Sequence, residues 1–208
     1  MTTMNGILAK KLGMTQVYLE DGRQVAVTVL QAGPCKVIQR KTAQADGYDA
    51  IQVGFEEKNA KHTTRPMQGH FQKAGVEPMR YLAEFKADNP DEWAVGSEYG
   101  ASVFEGVKQV DVTGVSKGHG FAGTLKRHNF GSGPRAHGSK TQRAPGSLSA
   151  HSYPARVFPG KRLGGHMGAE NVTVRHLELI KVDAEQNLLF VKGAVPGPVS
   201  GLIKVRKA

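Results

Sequence analysis

The sequence predicts a mainly β protein: a small closed β-barrel with a short α/β excursion, and a long, irregular basic extension inserted near the C-terminal third. Three observations lead there. Strand-like segments separated by turn dipeptides occur at both ends of the chain, an internal span lacks both acidic residues and any hydrophobic period, and 208 residues allow one domain with an insertion rather than two full-sized domains.

Thr15 to Glu20 and Gln24 to Leu30 flank Asp21-Gly22, and the alternation of Val25, Val27 and Val29 marks a half-buried strand, so a hairpin is expected. Asp46-Gly47 separates Lys36 to Arg40 from Ala50 to Phe55 in the same way, and two successive hairpins suggest a meander. Residues 56–100 read as an excursion from the sheet, with a short helix over Thr64 to Ala74, a strand over Met79 to Lys86 and a polar turn over Asp88 to Gly96. Near the C-terminus, Val172 to Val182 and Leu188 to Lys192 pair around Asp183 to Asn187, and Gly201 to Arg206 supplies a last strand. Strands at both ends imply one closed or nearly closed sheet, because closure removes the exposed edges that an open sheet leaves. The expected organisation is a globular body over 1–111 and 170–208, with residues 112–169 forming an extended basic arm.

The charge is local. From Val112 to Ala169 there is no Asp or Glu, while Lys117, Lys126, Arg127, Arg135, Lys140, Arg143, Arg156, Lys161 and Arg162 supply nine positive charges. The formal net charge is +10, so the remainder of the chain, with nineteen basic against eighteen acidic residues, is close to neutral. The same span holds His119, His128, His137, His151 and His166, twelve glycines and four prolines, and its scattered apolar residues follow neither a helical nor a strand period. Such a segment cannot bury a core of its own and is expected to order only against a partner that neutralises it. Rings interleaved with cations suit RNA: imidazole and aromatic groups, including Phe121 and Tyr153, stack on exposed bases while Lys and Arg contact phosphates. The expected contacts are therefore these nine cations, these five histidines, Phe121 and Tyr153.

Other classes fit poorly. There is no amphipathic or insertable apolar stretch for a membrane and no signal-like run near the start, which points to a cytoplasmic location. One cysteine, Cys35, excludes an internal disulfide framework or a multi-cysteine zinc site and reads as a buried structural thiol. The histidines lack metal-ligand spacing, so no metal is expected. Gly118-His119-Gly120-Phe121-Ala122-Gly123 matches a dinucleotide fingerprint, yet Asn129, Gly131, Gly133 and Pro134 break any following helix early and no carboxylate follows before Glu170. In Gly138-Ser139-Lys140-Thr141 the lysine does not directly follow the glycine, as a phosphate-binding loop requires. Ser147, Ser149 and Ser152 surround His151 without a carboxylate to orient it, so no catalytic residues, cofactor or small-molecule substrate are expected. The alternatives are an RNA-modifying enzyme, which needs a site not visible here, and a free architectural nucleic-acid-binding protein, which needs a helix or ribbon to present to a groove.

Lys117 to Gly123, Lys126-Arg127-His128, Gly138-Ser139, Pro145-Gly146-Ser147 and Gly160-Lys161-Arg162-Leu163-Gly164-Gly165-His166-Met167-Gly168 closely resemble the large-subunit ribosomal protein L3 (uL3) family of bacterial type. Gly6 to Thr15 and Asn187 to Pro196 extend the resemblance over nearly the whole chain, most loosely between Glu56 and Gly106. The resemblance implies a translation-protein type barrel, contacts with 23S-type ribosomal RNA and neighbouring large-subunit proteins, early binding in subunit assembly, and an arm reaching towards the peptidyl-transferase region. Its tip falls around Pro145 to Pro154, including Gly146, Ser147, Ser149, Ala150 and His151. Two positions depart from the family: Ala150 stands where some relatives carry a methylated glutamine, and His166 where the family often has glutamine before Met-Gly.

Overall fold

The computed structural model describes residues 4–86 and 89–208 and is mainly β. In chain order its elements are β1 Gly6–Tyr18, β2 Gln24–Ala32, β3 Cys35–Lys41, α1 Ala43–Asp46, β4 Ala50–Glu57, α2 Arg65–Ala74, β5 Met79–Phe85, β6 Glu98–Tyr99, β7 Gln109–Val115, β8 Gly120–Ala122, α3 Thr124–His128, β9 Gly165–Met167, β10 Asn171–Asp183, β11 Leu188–Lys192 and β12 Leu202–Lys207. Among the described residues, no helix is long and apolar enough to cross a membrane.

Six strands close on themselves in the order β1-β12-β7-β10-β11-β2, each antiparallel to its neighbours. The first hairpin forms as expected around Asp21-Gly22, where the Gly22 amide donates to the Leu19 carbonyl at 2.9 Å and Gly22 takes φ +78°. Pairing of β1 with β12, Ile7 opposite Val205 and Ala9 opposite Ile203, joins the two chain ends and completes the ring. Alternate residues of the strands fill its interior: Ile7, Val112, Val205, Ile203, Leu189 and Val191 are all fully buried.

The expected meander does not form. After β2 the chain passes through Gly33, at φ +98°, and Pro34, which has no amide hydrogen to donate to a ladder, and the second hairpin enters a separate four-stranded sheet, β5-β4-β3-β6. Residues 56–100 do leave the ring as expected, but the departure begins earlier, at Gly33, and is a paired sheet: β5 runs along β4 (Val53 opposite Ala83) and β6 along β3 (Cys35 opposite Tyr99). The expected helix is α2, begun by a proline in its first turn and stopped by Gly75 at φ 66°; its Phe71 packs with Ile38 and Met79 of the second sheet. Asp88, where the expected polar turn was to begin, lies outside the described residues.

The second sheet seals the outer face of β1. A Cβ on Gly6 would stand 2.5 Å from the Phe85 ring, so only glycine permits the approach, and Leu8, Cys35, Phe55 and Phe85 join the ring residues in one core. Cys35 is the buried thiol that the sequence suggested, 3.6 Å from the Leu8 carbonyl, and burial pushes its pKa up to about 12.

By its internal contacts the chain divides into two units, one running up to Val115 and resuming over Asn171–Ala208, the other spanning Ser116–Glu170. The break falls there because the β7–β10 ladder continues to the pair Val115 and Asn171, a few residues past the end that alternation alone suggested.

Candidate nucleic-acid interface

The unit Ser116–Glu170 is not irregular throughout, as its composition had suggested. Its two ends are laced together: the Ser116 amide donates to the Glu170 carbonyl at 2.9 Å, the Glu170 amide to Ser116 Oγ at 3.3 Å, and the His119 amide to the Met167 carbonyl at 2.8 Å. Strands β8 and β9 then pair over three positions, with Phe121 opposite His166. Gly168 makes this possible, because it sits at φ +75° and a Cβ there would collide with the Lys117 carbonyl. Backbone pairing supplies the order here, which is why hydrophobic periodicity gave no sign of it.

Directly after β8 comes α3, which stops at Asn129 in the left-handed conformation, φ 56°. It presents Arg127 and His128 to the returning chain: Arg127 Nη1 donates to the Leu163 carbonyl at 3.1 Å and His128 Nε2 lies 2.9 Å from the same oxygen. A carbonyl only accepts, so Nε2 carries the hydrogen and Nδ1 is the ring's remaining polar atom. The guanidinium lies over Gly165, where a Cβ would come within 3.1 Å of Arg127 Cζ. Arg127 and His128 thus hold the unit together as well as offering a basic surface, a double role that the sequence reading did not foresee.

From Gly131 to Gly164 no helix or strand forms. The Gly133 amide donates to the Gln142 carbonyl at 3.0 Å, closing a loop that displays Arg135, His137 and Lys140, with Arg143 just beyond. In the stretch expected to form the tip, the Ser149 amide reaches Ser147 Oγ at 3.3 Å, His151 Nδ1 lies 2.9 Å from Ser152 Oγ, and Pro145, Gly146 and Tyr153 are exposed, the last at 93%. Ala150 is half-buried. Arg156 stands over the Phe158 ring at 5.7 Å, and Lys161 and Arg162 are exposed before the chain returns to β9. Of the expected RNA-contacting residues, including Lys117, Lys126, His119 and Phe121 (83% exposed), only His128 is not exposed, being held half-buried by its bond to Leu163.

The charges of this unit are unanswered. Among the described residues every ion pair lies outside it, so none of its nine cations is ion-paired to a carboxylate there. Lys117, His119, Arg127 and His128 gather around an open cleft of about 510 Å³ that Met167 and Glu170 also line. Glu170 figured in the sequence only as the first carboxylate after the acid-free span, and its place beside these cations was not foreseen. Also overlooked was a row across three strands of the ring, Lys204 opposite Thr113 and Thr113 opposite Thr173, with the two threonine hydroxyls 2.9 Å apart and Arg206 exposed nearby. Counting charge along the chain dilutes a cluster that only strand pairing brings together. No group of three or more metal-ligating side chains occurs among the described residues.

The family model for ribosomal protein L3 matches residues 86–188. Over 203 residues the chain is 55% identical to the large ribosomal subunit protein uL3 of Pelotomaculum thermopropionicum, covering 98% of this chain and 96% of that one. The chain belongs to the uL3 family. Two further uL3 proteins agree, from Carboxydothermus hydrogenoformans at 53% identity and Heliobacterium modesticaldum at 52%, each over 98% of this chain and 97% and 96% of theirs. The uL3 proteins are structural ribosomal proteins and not enzymes.

Proposed function

We propose that this chain is a structural constituent of the large ribosomal subunit in the cytoplasm, where it binds 23S-type ribosomal RNA and neighbouring subunit proteins and helps to nucleate assembly. Residues 1–111 and 170–208 act as the body, their ring of strands a barrel of the translation-protein type. Residues 112–169 act as an extended arm whose tip, Pro145 to Pro154, reaches towards the peptidyl-transferase region. The observation that carries this reading is the set of nine cations that form no ion pair among the described residues, interleaved with exposed rings, in a chain of the uL3 family.

The arm works as a cationic strut. RNA helices packed closely around it repel through their phosphates, and each Lys or Arg that meets a phosphate releases condensed counterions, which supplies most of the favourable free energy. With about five of the cations on phosphates, the logarithm of affinity falls against the logarithm of salt with a slope of roughly −4. Exposed rings such as Tyr153 add sequence-tolerant stacking on unpaired bases. The row Lys204, Thr113 and Thr173 provides a second, smaller phosphate contact on the body.

A salt series on a large-subunit rRNA fragment tests this. Replacing Lys126, Lys140, Lys161 and Arg162 together by Gln is expected to make the slope shallower by roughly 0.7 to 0.9 for each cation that meets a phosphate. An unchanged slope with unchanged affinity would rule out the strut. Turnover of rRNA by the purified chain would favour the RNA-modifying alternative instead.

A further inference from the structure

Beyond the extended cationic surface, one part of the basic unit is a cleft, broadly open to solvent. At about 510 Å³, it falls within the range of roughly 300–1,000 Å³ typical of small-ligand sites, and is too small for a nucleic-acid helix. Part of its wall is fixed in advance: Arg127 and His128 are tied to the Leu163 carbonyl, and the His119 amide to the Met167 carbonyl. Ligands gain affinity from walls that need no ordering.

The chemistry of the lining is mixed in an informative way. Lys117 and Arg127 suit a phosphate, and neither is in an ion pair among the described residues. The imidazoles of His119 and His128 and the thioether of Met167 suit the flat face of a base. Glu170 would repel a bare phosphate, yet a carboxylate is the natural acceptor for the adjacent N–H donors on the Watson–Crick edge of guanine. A plain anion site accounts for the cations and leaves the carboxylate unexplained; a nucleotide accounts for both.

We infer that this cleft captures a single unstacked guanosine nucleotide of the RNA, its phosphate on Lys117 and Arg127 and its base edge on Glu170. The inference rests on the segment being an RNA-binding element, and it adds a discrete, base-selective site to that reading. Extruding one nucleotide from a helix costs least at a bulge, so bulged RNA is the preferred substrate.

Three hairpin RNAs of equal length, with one bulged guanosine, one bulged adenosine or no bulge, are titrated into the full chain at one salt concentration. The bulged guanosine is expected to bind about tenfold more tightly than the unbulged hairpin, as a good bidentate base contact allows, and to shift the methyl resonance of Met167. Glu170→Gln should bring the guanosine and adenosine hairpins to within about threefold of each other. Lys140→Gln, away from the cleft, should weaken all three alike and leave their ratio intact. Equal, salt-dependent binding of all three hairpins by the unaltered chain, with Met167 undisturbed, would overturn the guanosine site while leaving RNA binding standing. Failure to bind any RNA would overturn both.

Discussion

The two units handle positive charge in opposite ways. In the body, Lys10, Arg23, Lys36, Arg40, Lys41, Arg80 and Lys192 all meet carboxylates, and Glu56 serves both Lys10 and Arg80. Lys41 and Glu84 show the effect on titration, the ammonium held above its ordinary pKa by its bond to Glu84 and the carboxyl held below its own by the same bond. Across Ser116–Glu170 the cations find no such partners among the described residues, and order there comes from backbone pairing and from glycines that let two chain segments touch. The body buries its stability in an apolar core and, among the described residues, answers seven of its nineteen cations with carboxylates. The basic unit leaves its charges open, which disfavours compaction by self-repulsion and favours a polyanionic partner.

Four measurements put this contrast at risk. Phe104, fully buried in the common core, should cost about 3–5 kcal/mol when truncated to alanine, read from urea unfolding, whereas Tyr153→Ala should leave the unfolding midpoint in place. Gly168→Ala forces a side chain to φ +75° and against the Lys117 carbonyl, for a local cost of about 1–3 kcal/mol. Its signature should be much faster hydrogen exchange at the His119 amide with the Val205 amide unchanged; faster exchange at both would mean the units are not energetically separate. Cys35 carries a pKa raised in the folded state from 9.0 to about 12, so its contribution is complete below the ordinary thiol value and fades as pH rises between the two. Folding stability should therefore fall by up to about 1.4 kcal/mol per pH unit more steeply in the native chain than in Cys35→Ala across that window. Smallest of all, Lys192→Gln removes an exposed pair with Glu178, at 2.6 Å, and should change stability by about 1 kcal/mol or less with no change in the salt slope of RNA binding.

Much of the fold was legible because strands advertise themselves locally. The Asp21-Gly22 hairpin, the helix over Thr64 to Ala74 and the closing strand over Gly201 to Arg206 each announce their position through turn chemistry or alternation, and the structure bears them out. The second sheet was not legible. Strand β6 has two residues and no pattern, and nothing in Met79 to Phe85 says that its partner is Ala50–Glu57 rather than a ring strand. The exposed candidates of the interface were found from residue type alone, since charge and aromatic character belong to single side chains. The double duty of Arg127 and His128 was not, because it depends on one carbonyl thirty-odd residues away.

Readable from the sequence alone are the positions of most of the longer strands, the concentration of net positive charge in one acid-free span, and the cationic and aromatic side chains which that span carries. These are local properties of composition and spacing. Tertiary structure alone decided which strands pair, that the sheet divides into a ring and a second layer, and that Lys117, Arg127 and Glu170 share one cleft. The reason is physical: strand partners are chosen by backbone hydrogen bonds, which every residue but proline can make at both its amide and its carbonyl, and by close approaches that glycine permits without announcing whom it admits.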